Sequence, residues 1–195
     1  MPSSGGFSPV RTLDGSNTFS TQRFRKLEDN GDASLVYVGD VVMMTANGRV
    51  KRLLAAQTTA AGSVGVLGVV QRILQNEDGR PRVHGLPDQH PNISLTAQAD
   101  FLDVYVSPEI VYEAFTDTSA GRSMIGQTMN IALTARITAA GRSGMILDTT
   151  SSASQFNPFK VMQVSDFVLD SRAGDVSARV QCVINHSVFN TRSTF

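Results

Sequence analysis

The chain has no tryptophan, three tyrosines and one cysteine in 195 residues. A lone cysteine, Cys182, cannot close an internal disulfide, so the fold must rest on packing and hydrogen bonds. With so few Trp and Tyr residues, a carbohydrate-stacking platform is poorly supported. An excess of one charge is also missing. Seventeen Lys and Arg stand against seventeen Asp and Glu, for a formal net charge of zero. Direct nucleic-acid binding normally shows a basic surplus, so none is expected. Zero net charge also gives little colloidal repulsion, which a protein destined for an assembly tolerates. No apolar run approaches the ~20 residues of a membrane helix, so no membrane partner is expected. The N-terminal stretch MPSSGGFSPVRTLDGSN lacks an apolar core, which speaks against a secretory signal.

What is present is a series of short β-rich runs. The length suits one domain, or one domain with an arm, at about 150 residues per domain. Residues 1–33 are rich in Ser, Gly, Thr and Asn, with isolated Phe7, Phe19 and Phe24 and a basic group at Arg23, Arg25 and Lys26. Neither a two-residue nor a helical period runs through them. They read as an extended N-terminal arm that orders on a partner through Phe7, Phe19, Arg23, Phe24 and Arg25, with a body at 34–195 that folds without it.

In that body, Leu35–Val38 and Val41–Met44 read as strands, and Asn47-Gly48 before Val50 signals a tight hairpin. Val64–Val70 reads as a strand with Gly65 and Gly68 inside it. Glycine there implies a bend or a close backbone approach. Gln75–Pro91 reads as a long polar loop. Further strands are expected at 101–106, 110–115, 129–137, 145–147, 159–164 and 178–184. Helix is confined to short pieces near 119–127 or 152–155. Many short strands between Gly- and Ser-rich turns predict an all-β fold, a compact sandwich or small barrel of tulip or jelly-roll type.

Candidate chemistry is thin. Gly62, Gly65 and Gly68 follow a G-x-x-G-x-x-G spacing with no helix after them, which is not the dinucleotide fingerprint. His84, Asp88 and His90 in HGLPDQH could ligate zinc, but no third soft ligand lies nearby in sequence. GRSMIG and GRSGM are not nucleophile elbows. Cys182 and His186, read as i and i+4 on one strand, would stand about 13 Å apart, too far for a dyad. Cys182 reads as a small strand hydrophobe. Asp100 with Asp103, and Asp166 with Asp170, read as solvated pairs at strand ends or loops. No metal, cofactor or enzymatic activity is expected.

The run GDVVMM…NGRVKRL…GSVGVLGVVQ resembles the first half of tailed-bacteriophage head decoration, or cement, proteins. DVYVSPEIVYEAFTD…IGQTMNIAL, GRSGMILDTTSSAS…FKVMQV and ARVQCVINHSVF resemble the pattern that continues in such virion proteins. The likeness covers about residues 39–189 and includes no catalytic signature. It implies a protein made in the host cytoplasm and mounted on the exterior of an icosahedral capsid. There it would bridge capsomers and stabilise the shell against internal DNA pressure. Its implied partners are the major capsid protein and further copies of itself, as a homotrimer or a dimer. A phage tail or baseplate subunit is the alternative. A β-sandwich hydrolase or binding module with a site in the 75–91 loop ranks below both.

Overall fold

The computed structural model describes residues 6–25, 36–45, 48–54, 65–75, 80–81, 101–133, 143–151, 157–164 and 178–188. Within them run twelve strands: β1 (Ser8–Thr12), β2 (Thr21–Arg25), β3 (Val41–Met44), β4 (Val50–Arg52), β5 (Val66–Gln75), β6 (Arg80–Pro81), β7 (Phe101–Tyr105), β8 (Ile110–Phe115), β9 (Thr128–Leu133), β10 (Met145–Asp148), β11 (Phe159–Val164) and β12 (Arg179–Ile184). The helical pieces among the described residues are two 3-10 turns, Arg122–Met124 and Thr149–Ser151. The first sheet has the order β1-β8-β12-β11-β9-β10 and the second β2-β7-β5-β3-β4, with β6 on the end of β5. The strand pairings within both are antiparallel. The result is a sandwich-like all-β body, not a closed barrel.

Alternation explains the stacking. In β12 the side chains of Val180, Cys182 and Ile184 are buried while Arg179, Gln181 and Val183 are half-exposed. Ile110, Tyr112 and Ala114 of β8 join that inner row, as do Met129, Ile131, Met145, Leu147, Phe159 and Val161. Val41, Met43, Val66 and Val69 of the second sheet complete the same cluster, so this is the core between the sheets. The second sheet is buried on its other face as well. Val42, Val50, Leu67, Val70, Ile73, Leu102 and Val104 form a separate cluster there. Hence β3, β5 and β7 read as nearly continuous apolar runs.

A β-bulge makes this two-sided burial work in β5. Val42 lies opposite Gly68 and Met43 opposite Val66, so Leu67 is the extra residue. The bulge resets the alternation. Val66 and Val69 share the inter-sheet core, while Leu67 and Val70 share the second cluster. In the β3–β4 hairpin Gly48 takes a φ of 70°; Asn47 lies outside the described residues.

The structure corrects the N-terminal boundary. Residues 6–25 are part of the body. β1 adds an edge to the first sheet beside β8, and β2 adds an edge to the second beside β7. Because β7 and β8 are consecutive, the N-terminal segment runs back along the corner where the chain crosses between sheets. Phe7 is 2% exposed and stacks on Phe159 at 4.5 Å between centroids. Its approach is held by Gly6 N–H to Met145 O (2.8 Å) and Phe7 N–H to Gly39 O (3.0 Å). Gly39 has a φ of 87°, and a Cβ there would lie 3.3 Å from the Gly6 Cα. The sequence period misses this because each N-terminal strand is a five-residue edge, with only part of one face buried.

Three further expectations shift. The strand expected at 64–70 continues to Gln75 and pairs with Arg80–Pro81, so the loop expected at 75–91 begins as a strand pair. Residues 82–90 lie outside the described residues, as do Leu35 and 134–137 of the expected strands. The strand carrying Cys182 ends at Ile184, so His186 is not on it.

Candidate functional site

The most concentrated charge among the described residues lies on the second sheet, across three adjacent strands. Arg23 of β2 and Arg72 of β5 both stand in register with Asp103 of β7. Arg23 Nε donates to Asp103 Oδ1 at 2.9 Å and Nη2 to Oδ2 at 3.5 Å. Arg72 donates to Oδ2 from Nε at 3.1 Å and from Nη2 at 2.6 Å. The Asp103 side chain is 7% exposed and the two arginine side chains about half. The extra residue Gln71, between Val70 and Arg72 in the β5–β7 register, turns Arg72 onto this face. Phe19 packs edge-on against Tyr105 two residues along, at 5.8 Å.

Burial would push the Asp103 carboxyl up. Hydrogen bonds from Arg23 and then Arg72, with their charges, outweigh it and hold the group below the usual carboxylate range. Both oxygens are taken, so Asp103 is a structural anion rather than a base. The reading of Asp103 as a solvated carboxylate is corrected. Strict alternation in FLDVYV puts it opposite Leu102 and Val104, on the face where Arg23 and Arg72 also stand. Asp100, Asp166 and Asp170 lie outside the described residues.

Other carboxylates are similarly committed. Asp40 accepts from the Tyr37 N–H (2.9 Å) and the Ser143 hydroxyl (2.5 Å). Asp117 accepts from Thr149 N–H and Oγ1, and Asp148 from Thr150 N–H and Oγ1. On the outward face of the first sheet, Arg179 pairs with Glu113 at 2.8 Å and lies 4.8 Å over the Phe115 ring. Cys182 is fully buried, and burial pushes its thiol up, away from nucleophilic character. The carbonyl of His186 accepts the Val66 N–H at 2.7 Å.

The residues expected to contact a partner do not form one surface. Phe7 is in the core, Phe19 rests on Tyr105, and Phe24 packs against the second cluster. Arg23 and Arg25 are exposed on β2. Gly65 and Gly68 both sit where another backbone comes close. A Cβ on Gly65 would lie 3.0 Å from Val188 N, and one on Gly68 would lie 1.9 Å from Tyr105 O. His84, Asp88, His90 and Gly62 lie outside the described residues. Among the described residues no group of three His, Cys, Asp or Glu could hold a metal ion, and no helix is long and apolar enough to cross a membrane.

No protein-family model, curated protein or solved structure matches the chain.

Proposed function

We propose that the chain is a virion structural protein, a decoration or cement protein on the outer surface of an icosahedral phage capsid. It bridges capsomers there and stabilises the shell against internal DNA pressure. The observation that carries this reading is where the polar chemistry goes. Asp40, Asp103, Glu113, Asp117 and Asp148 are spent on hydrogen bonds and ion pairs that tie strands and turns together. Such a body resists deformation rather than transforming a substrate. The resemblance of residues 39–189 to head decoration proteins supplies the setting.

The physical logic fits a role in transmitting mechanical force. Two antiparallel sheets, with one chain segment forming an edge of each, transmit force through many backbone hydrogen bonds. Each contact with the shell can be modest, because many copies act together on a closed lattice. The partners in this reading are the major capsid protein and further copies of the chain, as trimer or dimer. It has no enzymatic, nucleic-acid-binding or membrane role, and its location is the capsid exterior.

The test is removal and add-back. Particles stripped of the protein should release DNA at a lower temperature than intact ones, and purified protein should restore the difference. Electron microscopy of the restored particle should place the added density on the head. Density at the tail or baseplate would replace this reading with the tail-subunit one. Restoration that requires a metal ion would overturn the purely structural role.

A further inference from the structure

We propose that the segment 6–25 is exchanged between copies of this chain. In the exchanged oligomer it lies on β7 and β8 of a neighbouring copy and makes there the contacts it makes here on its own body. The partner is a second copy, and the surface that receives the segment is the one the segment already covers. The segment is one piece. β1 and β2 are joined through a tight corner, where the Thr12 N–H donates to Ser16 O at 2.8 Å and the Gly15 N–H to Thr12 O at 2.9 Å. β1 pairs with β8 at four positions and β2 with β7 at five. Phe7 stacks on Phe159, Phe19 meets Tyr105, and Arg23 meets Asp103. None of these partners lies in residues 26–35, which join the segment to the body, so a neighbour's segment finds each of them in the same place. Among the described residues β1 and β2 each pair with one strand only, at the end of a sheet. Lifting the segment away therefore breaks no pairing between other strands.

Folding opens the choice between the chain's own body and a neighbour's. The segment precedes its partners by about a hundred residues at β8 and about eighty at β7. Contacts so distant in sequence form late, because the chain between them must first be closed into a loop. Until the segment docks, β7 and β8 of each copy present the same site to every segment within reach. Contact for contact, a neighbour's segment binds as well as the chain's own. The advantage of the chain's own segment is its tether, the ten residues 26–35, which sets an effective concentration of order 1 mM. Copies that fold at a comparable local density exchange.

Phe7 then holds the result. Its ring is 2% exposed and sits in the inter-sheet core, so reversing the exchange means withdrawing it from between the sheets. Exchanged and unexchanged forms interconvert slowly for that reason. Exchange of an identical element is a low-cost route to a closed oligomer, because the interface it uses is one the single chain already has. The zero net charge leaves little repulsion to keep copies apart. The inference goes beyond the proposed function, which calls for associated copies without saying what joins them, and it does not depend on the capsid setting.

The test uses the full chain. Ser8 and Glu113 stand opposite each other in the β1–β8 register, and such positions lie about 4.5–5.5 Å apart, within reach of a disulfide. The chain carrying Ser8→Cys and Glu113→Cys is refolded at about 1 mM and at about a hundredfold dilution, then oxidised and run on a denaturing gel without reductant. Cys182 is buried and does not compete. The dilute sample should run as single chains, bonded within themselves, and the concentrated one should shift to covalently joined chains. Sedimentation of the concentrated parent should show a dimer or trimer that outlasts dilution. A second measurement needs no added cysteine. Arg23→Glu and Asp103→Arg each spoil the ion pair within their own chain. Refolded together, the Arg23→Glu body, whose Asp103 is unchanged, receives the other chain's segment and regains the parent pair. The mixture should then gain a component melting at least about 2 °C above either chain alone.

A parent that is monomeric after refolding at about 1 mM overturns the proposal. So does a parent oligomer whose paired cysteines bond only within each chain, which would mean that copies associate with the segment kept at home. If the introduced thiols stay reduced, the mixture decides, and melting as the plain sum of its two chains overturns the exchange. Exchange without particle binding sinks the capsid reading alone. Particle binding by a chain that never exchanges sinks the exchange alone.

Discussion

Replacing Gly68 with alanine should be among the most damaging single-methyl changes in this protein. A Cβ at this position would lie 1.9 Å from the Tyr105 carbonyl oxygen, 2.8 Å from Val104 Cγ1 and 2.9 Å from the Tyr105 carbonyl carbon. Two of those atoms are backbone, so no rotamer change relieves the contact. β7 would have to move away from β5, and it carries β2 on its other side. The displacement therefore strains the pairing of three strands. Overpacking of this kind costs about 3 kcal/mol, at the top of the usual range because the obstacle is main chain. For a domain of this size that is a drop in Tm of about 6–12 °C. Gly65→Ala supplies the internal scale. Its nearest contact is Val188 N at 3.0 Å, in the stretch that follows the last strand, so a shift of a few tenths of an ångström suffices and about 1 kcal/mol is expected. The measurement is thermal unfolding of both variants beside the parent. A Gly68→Ala melting temperature within about 2 °C of the parent would refute the reasoning, as would a larger loss at Gly65 than at Gly68.

Phe7→Ala empties a site stacked on Phe159 in the inter-sheet core. It should cost about 3–4 kcal/mol in urea unfolding. Deleting residues 1–25 should abolish cooperative unfolding, and a truncated chain as stable as the parent would restore the free-arm reading. The Asp103 carboxyl is held below its usual range in the folded protein. Its contribution is therefore complete above the unfolded value of about 4, and it is lost as pH falls below that toward the folded value. The urea midpoints of parent and Asp103→Asn should differ at pH 6 and converge toward pH 3. A gap that does not change with pH would remove the charge from the explanation.

The body was legible because its strands are short, apolar and punctuated. Ile110–Phe115 and Phe159–Val164 appear at the expected bounds. Alternation is a sufficient signal when one face is buried and one is wet. Leu67-Gly68-Val69 was legible only as an anomaly. Glycine inside a strand announces a close approach, but the sequence does not say whether the neighbour is Tyr105, a ligand or another chain. The N-terminal segment was misread for a related reason. An edge strand shares only part of its surface with the core, so SPVRT and TQRFR carry almost no periodic signal. Their strand character comes from partners about a hundred residues away in β8 and about eighty away in β7.

The same logic separates the aromatic residues of that segment from its charges. Phenylalanines spaced through a polar stretch signal burial somewhere, and here the burial is internal: Phe7 against Phe159, Phe19 against Tyr105, Phe24 against the second cluster. Charges spaced two apart in a strand signal a common face, and Arg23 meets the one carboxylate that β7 presents there. Asp103 could have been singled out in the sequence, because it interrupts the apolar row of FLDVYV at a position that only a cationic neighbour makes tolerable. Which cation answers it depends on the strand order β2-β7-β5 and on the register shift at Gln71, which sets Arg72 opposite Asp103. The ion pairs then do more than neutralise a buried charge. Through Asp103 they tie the edge strand β2 and the central strand β5 to β7, so one buried carboxylate joins three strands.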